Sequence, residues 1–513
     1  MSEFPSRHTP GVAAVGDKQG HTQSNTQDNN SALMIPLLVG WVLLATAVMM
    51  TLPLAADLYV GNLTWRVFAA CSGATAALAV LLIYGSRKHG GGTLTLRQAF
   101  LLTPLSWFAV SAVSALPFFF SGVGSVDLSL ADSVFEAVSG ITTTGATVIS
   151  GLDTAPAGLL LWRAILQWMG GIGIIATAIA IFPALRIGGM QLFRTESSDR
   201  SEKAMPRVRQ IAKTIGLVYI SLTLLALLTY WLAGMPLFDA SVHALTSIST
   251  GGYSTSDASF GRWDENGIQW FATLFMLAGS LPFVLYVRFI AGDRTAFWDR
   301  QVKTLVTLLA VLIAIIGAGL FASGQYTAEA AFRHAAFNLT SIVTTTGYAS
   351  ADYTAWGNLM IGVFFALFFV GGCTGSTSGG IKIFRLEVMA VMLKTHLLHL
   401  LYPRGVFPRS YNGRVLTDDI IGSVVAFFTV FIVSYAALTV GLMAFGLDFL
   451  ASASGSAAAL ANIGPGLGET LGPAGNYASL PAGAKWLLSF GMLLGRLEIF
   501  TVLVLFLPQF WRS

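Results

Sequence analysis

The sequence predicts an all-α polytopic membrane protein: two N-terminal helices, then four pseudo-symmetric helix–pore loop–helix repeats around a central ion pore. Three observations predict it. Hydrophobic residues fill 54% of 513 positions and charged residues 11%, whereas soluble domains carry roughly 25% charged residues. Ten stretches approach the ~20 apolar residues that a membrane-spanning helix needs. Between them, four semi-polar stretches of common design recur at a near-constant period.

The apolar stretches run near Ala32–Leu54, Val67–Tyr84, Ala99–Phe120, Leu159–Leu185, Ala212–Leu232, Gly267–Ile290, Lys303–Phe321, Ile361–Phe384, Ile420–Phe445 and Lys485–Leu507. Most of the 29 Lys and Arg residues fall in the even-numbered connections. Arg87, Lys88 and Arg97 lie in the second; Arg186, Arg194, Arg200, Lys203, Arg207, Arg209 and Lys213 in the fourth. Arg288, Arg294, Arg300 and Lys303 lie in the sixth, and Lys382, Arg385, Lys394, Arg404, Arg409 and Arg414 in the eighth. Arg66, Arg163, Arg262, Arg333 and Lys485 are the few near the opposite face. The positive-inside rule then places both termini in the cytoplasm. The same bias explains a pI near 9.0, so the basic balance does not indicate nucleic acid. Residues 1–31 are polar and predicted to be a disordered cytoplasmic tail; they lack the apolar run of a signal peptide. Cys71 and Cys373, the two cysteines, have no metal-ligand spacing and are predicted to be reduced.

The four stretches read "LADSVFEAVSGITTTGATV" (Leu130–Val148), "LFDASVHALTSISTGGYST" (Leu237–Thr255), "AAFRHAAFNLTSIVTTTGYAS" (Ala330–Ser350) and "FLASASGSAAALANIGPGLGE" (Phe449–Glu469). Their glycines Gly145, Gly252, Gly347 and Gly464 are 107, 95 and 117 residues apart. Such a repeat decides the fold before any local reading. Each stretch carries about ten residues of apolar helix pattern, too short to span a bilayer but suited to a re-entrant segment, and then a Thr/Ser/Gly run. Non-helical backbone at membrane depth survives only where protein buries it or water lines it. Four such loops converging on one axis would present carbonyl oxygens in place of an ion's hydration shell. Ordinary turn chemistry would explain any one copy but not four.

Two further features stand out. "GGCTGSTSGG", Gly371–Gly380, interrupts the eighth apolar stretch with glycines that each cost a helix close to 1 kcal/mol relative to alanine. Either close helix packing or a break in the helix accounts for it. A phosphate-binding loop does not, because Ile381 separates Gly380 from Lys382 and no strand precedes the segment. Arg496 lies near the middle of the last stretch, where an unpaired charge costs at least ~2.5 kcal/mol. It needs either a buried carboxylate or a wet path. Glu498, two residues on, points to another helix face.

The motifs "GITTTGATV", "SISTGGYST", "SIVTTTGYAS", "ANIGPGLGET", "GGCTGSTSGGIKIFRLEVMAVMLKTHLLHL" and "GMLLGRLEIFTVLVLF" resemble segments of the TrkH/TrkG-type bacterial potassium transporters, relatives of the KtrB and HKT proteins. The resemblance covers nearly the whole chain after residue 31. It implies potassium uptake across the bacterial inner membrane, a homodimer, and a cytosolic nucleotide-binding gating ring of the TrkA type. No cofactor bound to this chain is implied: the nucleotide belongs to the partner, and K⁺ is cargo. Carried over residue by residue, the ion-binding filter falls on Thr143, Thr144 and Gly145; Thr250, Gly251 and Gly252; Thr345, Thr346 and Gly347; and Asn462, Ile463 and Gly464. The gate falls on Gly371, Gly372, Cys373, Thr374, Gly375, Ser376, Thr377, Ser378, Gly379 and Gly380, with Arg496. "NIGPG" departs most, lacking threonine and placing Pro465 after the glycine. The implied division is a tail (1–31), a two-helix region (32–98) and pore repeats at 99–205, 206–298, 299–417 (with the gating loop and a cytoplasmic connection) and 418–513. A weakly K⁺/Na⁺-selective or Na⁺- or H⁺-coupled transporter of the same fold is the alternative.

Weaker candidates are Asp132, Glu136, Asp239 and Glu469 as outer carboxylates that concentrate cations, and His243 and His334, read as packing residues. Gly170, Gly171 and Gly173 suggest close helix packing. No nucleophile–base set or metal cluster supports an enzyme: His396 and His399 stand three apart in a cytoplasmic connection. A mere scaffold would not need four re-entrant segments.

Overall fold

Apolar surface with nowhere to hide in water is what the outer helices present. Leu225, Leu228, Ile315, Val433 and Val440 are all exposed, as lipid-facing positions are. The computed structural model describes residues 34–87, 95–122, 128–180, 204–265 and 267–512. The expected tail and the basic residues Lys88, Arg186, Arg194, Arg200 and Lys203 lie outside them.

Two N-terminal spans come first: α1 (Met34–Met49) runs into α2 (Thr51–Val60), and α3 is Trp65–Ser86. Asp57, fully buried, accepts from Thr64 Oγ1 at 2.6 Å and from the Gly158 backbone N–H at 2.7 Å. That second bond fastens the pair to the first repeat. Each repeat then has an outer helix, a short pore helix and an inner segment. The outer helices are α4 (Leu96–Phe120), α7 (Ala204–Leu232), α11 (Arg300–Ala322) and α15 (Asp418–Ala444). The pore helices are α5 (Leu130–Ile141), α8 (Leu237–Ile248), α12 (Ala328–Val343) and α16 (Phe449–Ala461). At 12, 12, 16 and 13 residues and 1.5 Å per residue, none spans a ~30 Å hydrocarbon layer.

The inner segments of repeats 1, 2 and 4 are α6 (Ala157–Ala180), α9 (Ile268–Ser280) with α10 (Phe283–Ile290), and α18 (Ala482–Arg496) with α19 (Phe500–Leu503). Each packs against its own pore helix and that of the next repeat in cyclic order. Among the described residues, seven helices are long and apolar enough to cross a membrane, or nine if each bent pair counts as one span. Two of the ten expected straight spans are therefore corrected, and the eighth shows the break that its glycines suggest. The sixth bends by 90° between Ser280 and Phe283, and the tenth by 107° after Arg496. The eighth is not one helix: α13 (Asn358–Leu367) stops, and α14 (Ile383–Leu401) starts after an irregular segment.

A two-residue hairpin, β1 (Ser410–Tyr411) with β2 (Arg414–Val415), sits in the connection after α14. Tyr411 Oη donates to Glu387 at 2.5 Å, pinning the hairpin to α14. In the connection after α10, hydrogen bonds from Thr295 and Arg288 hold the Asp293 carboxyl below its ordinary pKa.

Candidate functional site

All four pore helices end alike. The residues after the last turn, Thr143, Thr250, Thr345 and Asn462, have φ of 54°, 49°, 57° and 54°. The next N–H reaches back five residues: Thr144 to Ser139 O, Gly251 to Thr246 O, Thr346 to Ser341 O and Ile463 to Ala458 O, at 2.8–2.9 Å. This is a Schellman C-cap whose left-handed position is filled by Thr or Asn rather than Gly, a strained choice for the β-branched threonines. Four helix C-termini, each with about half a negative charge, thus point at one place.

The following glycines close a ring. Gly145, Gly252, Gly347 and Gly464 have φ of 83°, 85°, 84° and 104°. A Cβ on Gly145 would overlap Gly251 O; on Gly252, Thr346 O; on Gly347, Ile463 O; and on Gly464, Thr144 O. Each loop leans on the carbonyl of the next, and the fourth leans on the first. Glycine is required by the backbone angle and by that approach together.

Most threonine hydroxyls tie the ring to its surroundings. Thr142 Oγ1 bonds Thr144 Oγ1 at 2.7 Å, and Thr344 Oγ1 bonds Thr346 Oγ1 at 2.8 Å. Asn462 Nδ2 donates to Thr144 Oγ1 at 3.0 Å and to Met492 O at 2.9 Å, joining quadrants four and one. Thr143 Oγ1 and Asn462 Oδ1 are buried and have no partner among the described residues.

The segment 371–380 folds as a clasp directly under this ring. Its base is closed by Gly371 N–H to Ile381 O at 2.8 Å and Ile383 N–H to Gly372 O at 3.1 Å. It docks on the bend of the second inner segment through Cys373 N–H to Ser280 O at 3.1 Å and Phe283 N–H to Gly375 O at 3.0 Å. Thr374 N–H bonds Gln301 Oε1 at 3.0 Å. From there it touches three quadrants. Thr377 Oγ1 sits 3.1 Å from both Thr250 Oγ1 and Ile248 O. Gly379 N–H donates to Thr345 Oγ1 at 2.6 Å. A Cβ on Gly379 would overlap Ala461 O. Ser376 and Ser378 stiffen the turn from within, Ser376 Oγ donating to Cys373 O at 2.7 Å.

Arg496 completes the layer. Its guanidinium donates to Thr377 O at 2.8 Å and to Gly170 O at 3.4 Å, linking the clasp to the first quadrant. It is 3% exposed, and among the described residues no carboxylate pairs with it. Backbone oxygens, not a carboxylate, hold it. Glu498 instead pairs with Arg385, whose guanidinium lies 3.7 Å from the Phe427 ring centroid. A narrow cavity beside Arg496 is lined by Ser378, Gly379, Lys382, Leu460 and Glu498. Lys382 donates to Ser378 O.

The family model for TrkH, a cation transport protein, matches residues 67–513. The chain belongs to the TrkH family. In the Halomonas elongata potassium uptake protein TrkI, 53% of residues are identical over 81% of this chain and 84% of that one. The Escherichia coli Trk system potassium uptake protein TrkH is 36% identical over 85% of this chain and 90% of that protein. The crystal structure of the potassium transporter TrkH from Vibrio parahaemolyticus superposes with a TM-score of 0.85 at 33% identity, covering 94% of this chain and 99% of that one. The TrkH family comprises transporters, not enzymes, and the multi-pass fold expected from the sequence is the TrkH fold.

Two outer carboxylates of this TrkH-family chain are not free charges, contrary to the sequence expectation. Glu136 is buried and paired with Arg163 at 2.7 Å, and Asp132 caps α5 and binds Lys485 Nζ at 2.6 Å. Asp239 accepts from Thr255 Oγ1 at 2.5 Å. His243 bonds Asp239 O and Ser254 Oγ at 2.8 and 3.0 Å, and His334 bonds Ser350 Oγ at 2.9 Å, so both are tied within their own loops. Sequence reading counted Arg163 as a face marker, although its place inside an apolar run hinted at a buried partner. Arg163→Met should strand Glu136 and cost about 3–5 kcal/mol, read as a lower Tm in detergent. The double variant Arg163→Met/Glu136→Leu should recover much of it.

Proposed function

We propose that this chain is the potassium-translocating subunit of a Trk uptake system in the bacterial inner membrane, with both termini cytoplasmic. K⁺ loses its hydration shell at the ring of Thr144, Gly251, Thr346 and Ile463 carbonyls. Passage is blocked from below by the 371–380 clasp and Arg496 until a cytosolic nucleotide-binding ring of the TrkA type moves them. The chain works as a homodimer, and the nucleotide sits on the ring. The observation that carries the reading is the cyclic contact of the four glycines, each against the next carbonyl. Four helix C-termini aimed at that ring favour a cation electrostatically. The unpartnered Thr143 Oγ1 and Asn462 Oδ1, on the residues just before the ring carbonyls, are further buried oxygens, and buried polar atoms need partners.

The test is ⁸⁶Rb⁺ uptake into proteoliposomes holding the purified full chain, alone and with its gating ring, against competing K⁺ or Na⁺. K⁺ should compete and Na⁺ should not, with flux rising when the ring and its nucleotide are present. Equal competition by Na⁺ would favour the weakly selective alternative. Uptake that depends on a Na⁺ or H⁺ gradient would favour coupling.

A further inference from the structure

We propose that Gln167, on the inner helix of repeat 1, is a positioning residue that sets the geometry and field of the filter's second quadrant. The proposal rests on the four-loop filter reading above.

The inner helices align on one contact. Gly170, Gly279 and Gly495 each press against the carbonyl two residues before the left-handed cap of a pore helix: Ile141 O, Ile248 O and Leu460 O. Three residues earlier stand Gln167, Met276 and Met492, all buried. Two repeats thus place methionine at this level and repeat 1 places an amide. The loop that α6 faces differs in the complementary sense. Position 251 is glycine, where the equivalent positions are Thr144, Thr346 and Ile463. A Cβ on Gly251 would overlap the Gln167 side chain. The volume missing from the loop is supplied by the helix.

The amide does more than fill space. Gln167 Nε2 donates to Gly251 O at 2.5 Å, and Gln167 Oε1 accepts from Tyr253 N–H at 3.1 Å. One side chain therefore clamps the peptide groups on both sides of Gly252. A full turn away on the same helix face, Arg163 donates to Ser254 O at 3.0 Å and stacks 3.9 Å from the Tyr253 ring centroid. Among the described residues, Gly251 O is the one ring carbonyl that accepts a hydrogen bond. An N–H donor at a carbonyl fixes its direction and offsets part of its negative potential. The Gly251 carbonyl is then fixed by a donor that the other three ring carbonyls lack among the described residues, and attracts a cation less strongly.

The experiment compares wild type, Gln167→Met, Gln167→Met/Gly251→Thr and Gly347→Ser as purified full-length protein in detergent. The readout is the ratio of NaCl to KCl concentrations giving half-maximal thermal protection. Gln167→Met should lower that ratio about threefold to tenfold, the range that one or two lost hydrogen bonds span. The double variant recreates the Met/Thr combination of two other quadrants, Met276 with Thr346 and Met492 with Thr144, and should fold and regain most of the ratio. A wild-type ratio in Gln167→Met, beside a lowered one in Gly347→Ser, would overturn the proposal and leave the filter reading standing. An unchanged ratio in Gly347→Ser would overturn both. A double variant that fails to fold, or recovers nothing, would also sink it, because the compensation is its central claim.

Discussion

Gly347→Ser is expected to cut K⁺-over-Na⁺ preference in rubidium-uptake competition by at least roughly tenfold, equivalent to about 1.4 kcal/mol. Two independent costs act on the same peptide. At φ 84° a Cβ crowds its own backbone, costing roughly 1–2 kcal/mol. Even if that strain is absorbed, the new atom overlaps Ile463 O and lies 2.9 Å from Pro465 Cδ, so the third and fourth quadrants must separate. An ion of one size is distinguished from another by how far those oxygens can follow it. Gly446→Ser is the control. It has φ 90° and nothing within 4 Å of where a Cβ would stand, and it lies in the turn between α15 and α16. It should cost stability and leave ion preference untouched. If both variants keep wild-type preference, the ring is not where ions are sorted.

Arg496→Ala is expected to raise rubidium flux through the chain alone, without any activating ring, by roughly tenfold to a hundredfold. Two unit charges some 5–8 Å apart repel by about 2–3 kcal/mol at an effective dielectric near 20, which is the barrier an ion would meet beside the guanidinium. The substitution also removes the bonds to Thr377 O and Gly170 O, one of which anchors the clasp. Arg496→Lys separates these effects: it keeps the charge but loses the planar fork, and flux should remain low. A low-flux Arg496→Ala protein that melts earlier would mean that the arginine only braces the fold.

The repeat and its glycines could be read from the sequence because they are local: a short helix pattern, a Thr/Ser run and a glycine, copied four times. The clasp was visible as a glycine cluster where a helix was due. What sits behind the ring was not. Gln167 meets Gly251, and Arg163 meets Glu136, across 84 and 27 residues of chain. The packing of repeat 1's inner helix on the next repeat's loop brings the first pair together, and its packing on its own pore helix brings the second. The bends differ in the same way. Pro282 marks the first, since its ring leaves no N–H for a helix bond. The second has no proline, and Gly495 just before it is still helical. Glu498 and Ile499 take φ of 60° and 37° in a sequence that reads as continuous apolar helix, and the Arg385–Glu498 pair lies at that corner. Tertiary contacts override the local preference there, and no window of sequence carries that information.

The head-to-tail closure of the four glycine loops has a genetic consequence. In a channel made of four identical subunits, every substitution in the opening arrives in fourfold dose. Here one codon alters one quarter of the perimeter and leaves three as they were. Each quarter is free to drift by itself, so, if the ring is the filter proposed above, selectivity can be tuned in small increments. The proline after Gly464 and the glycine at position 251 show two quarters that already differ from the other pair.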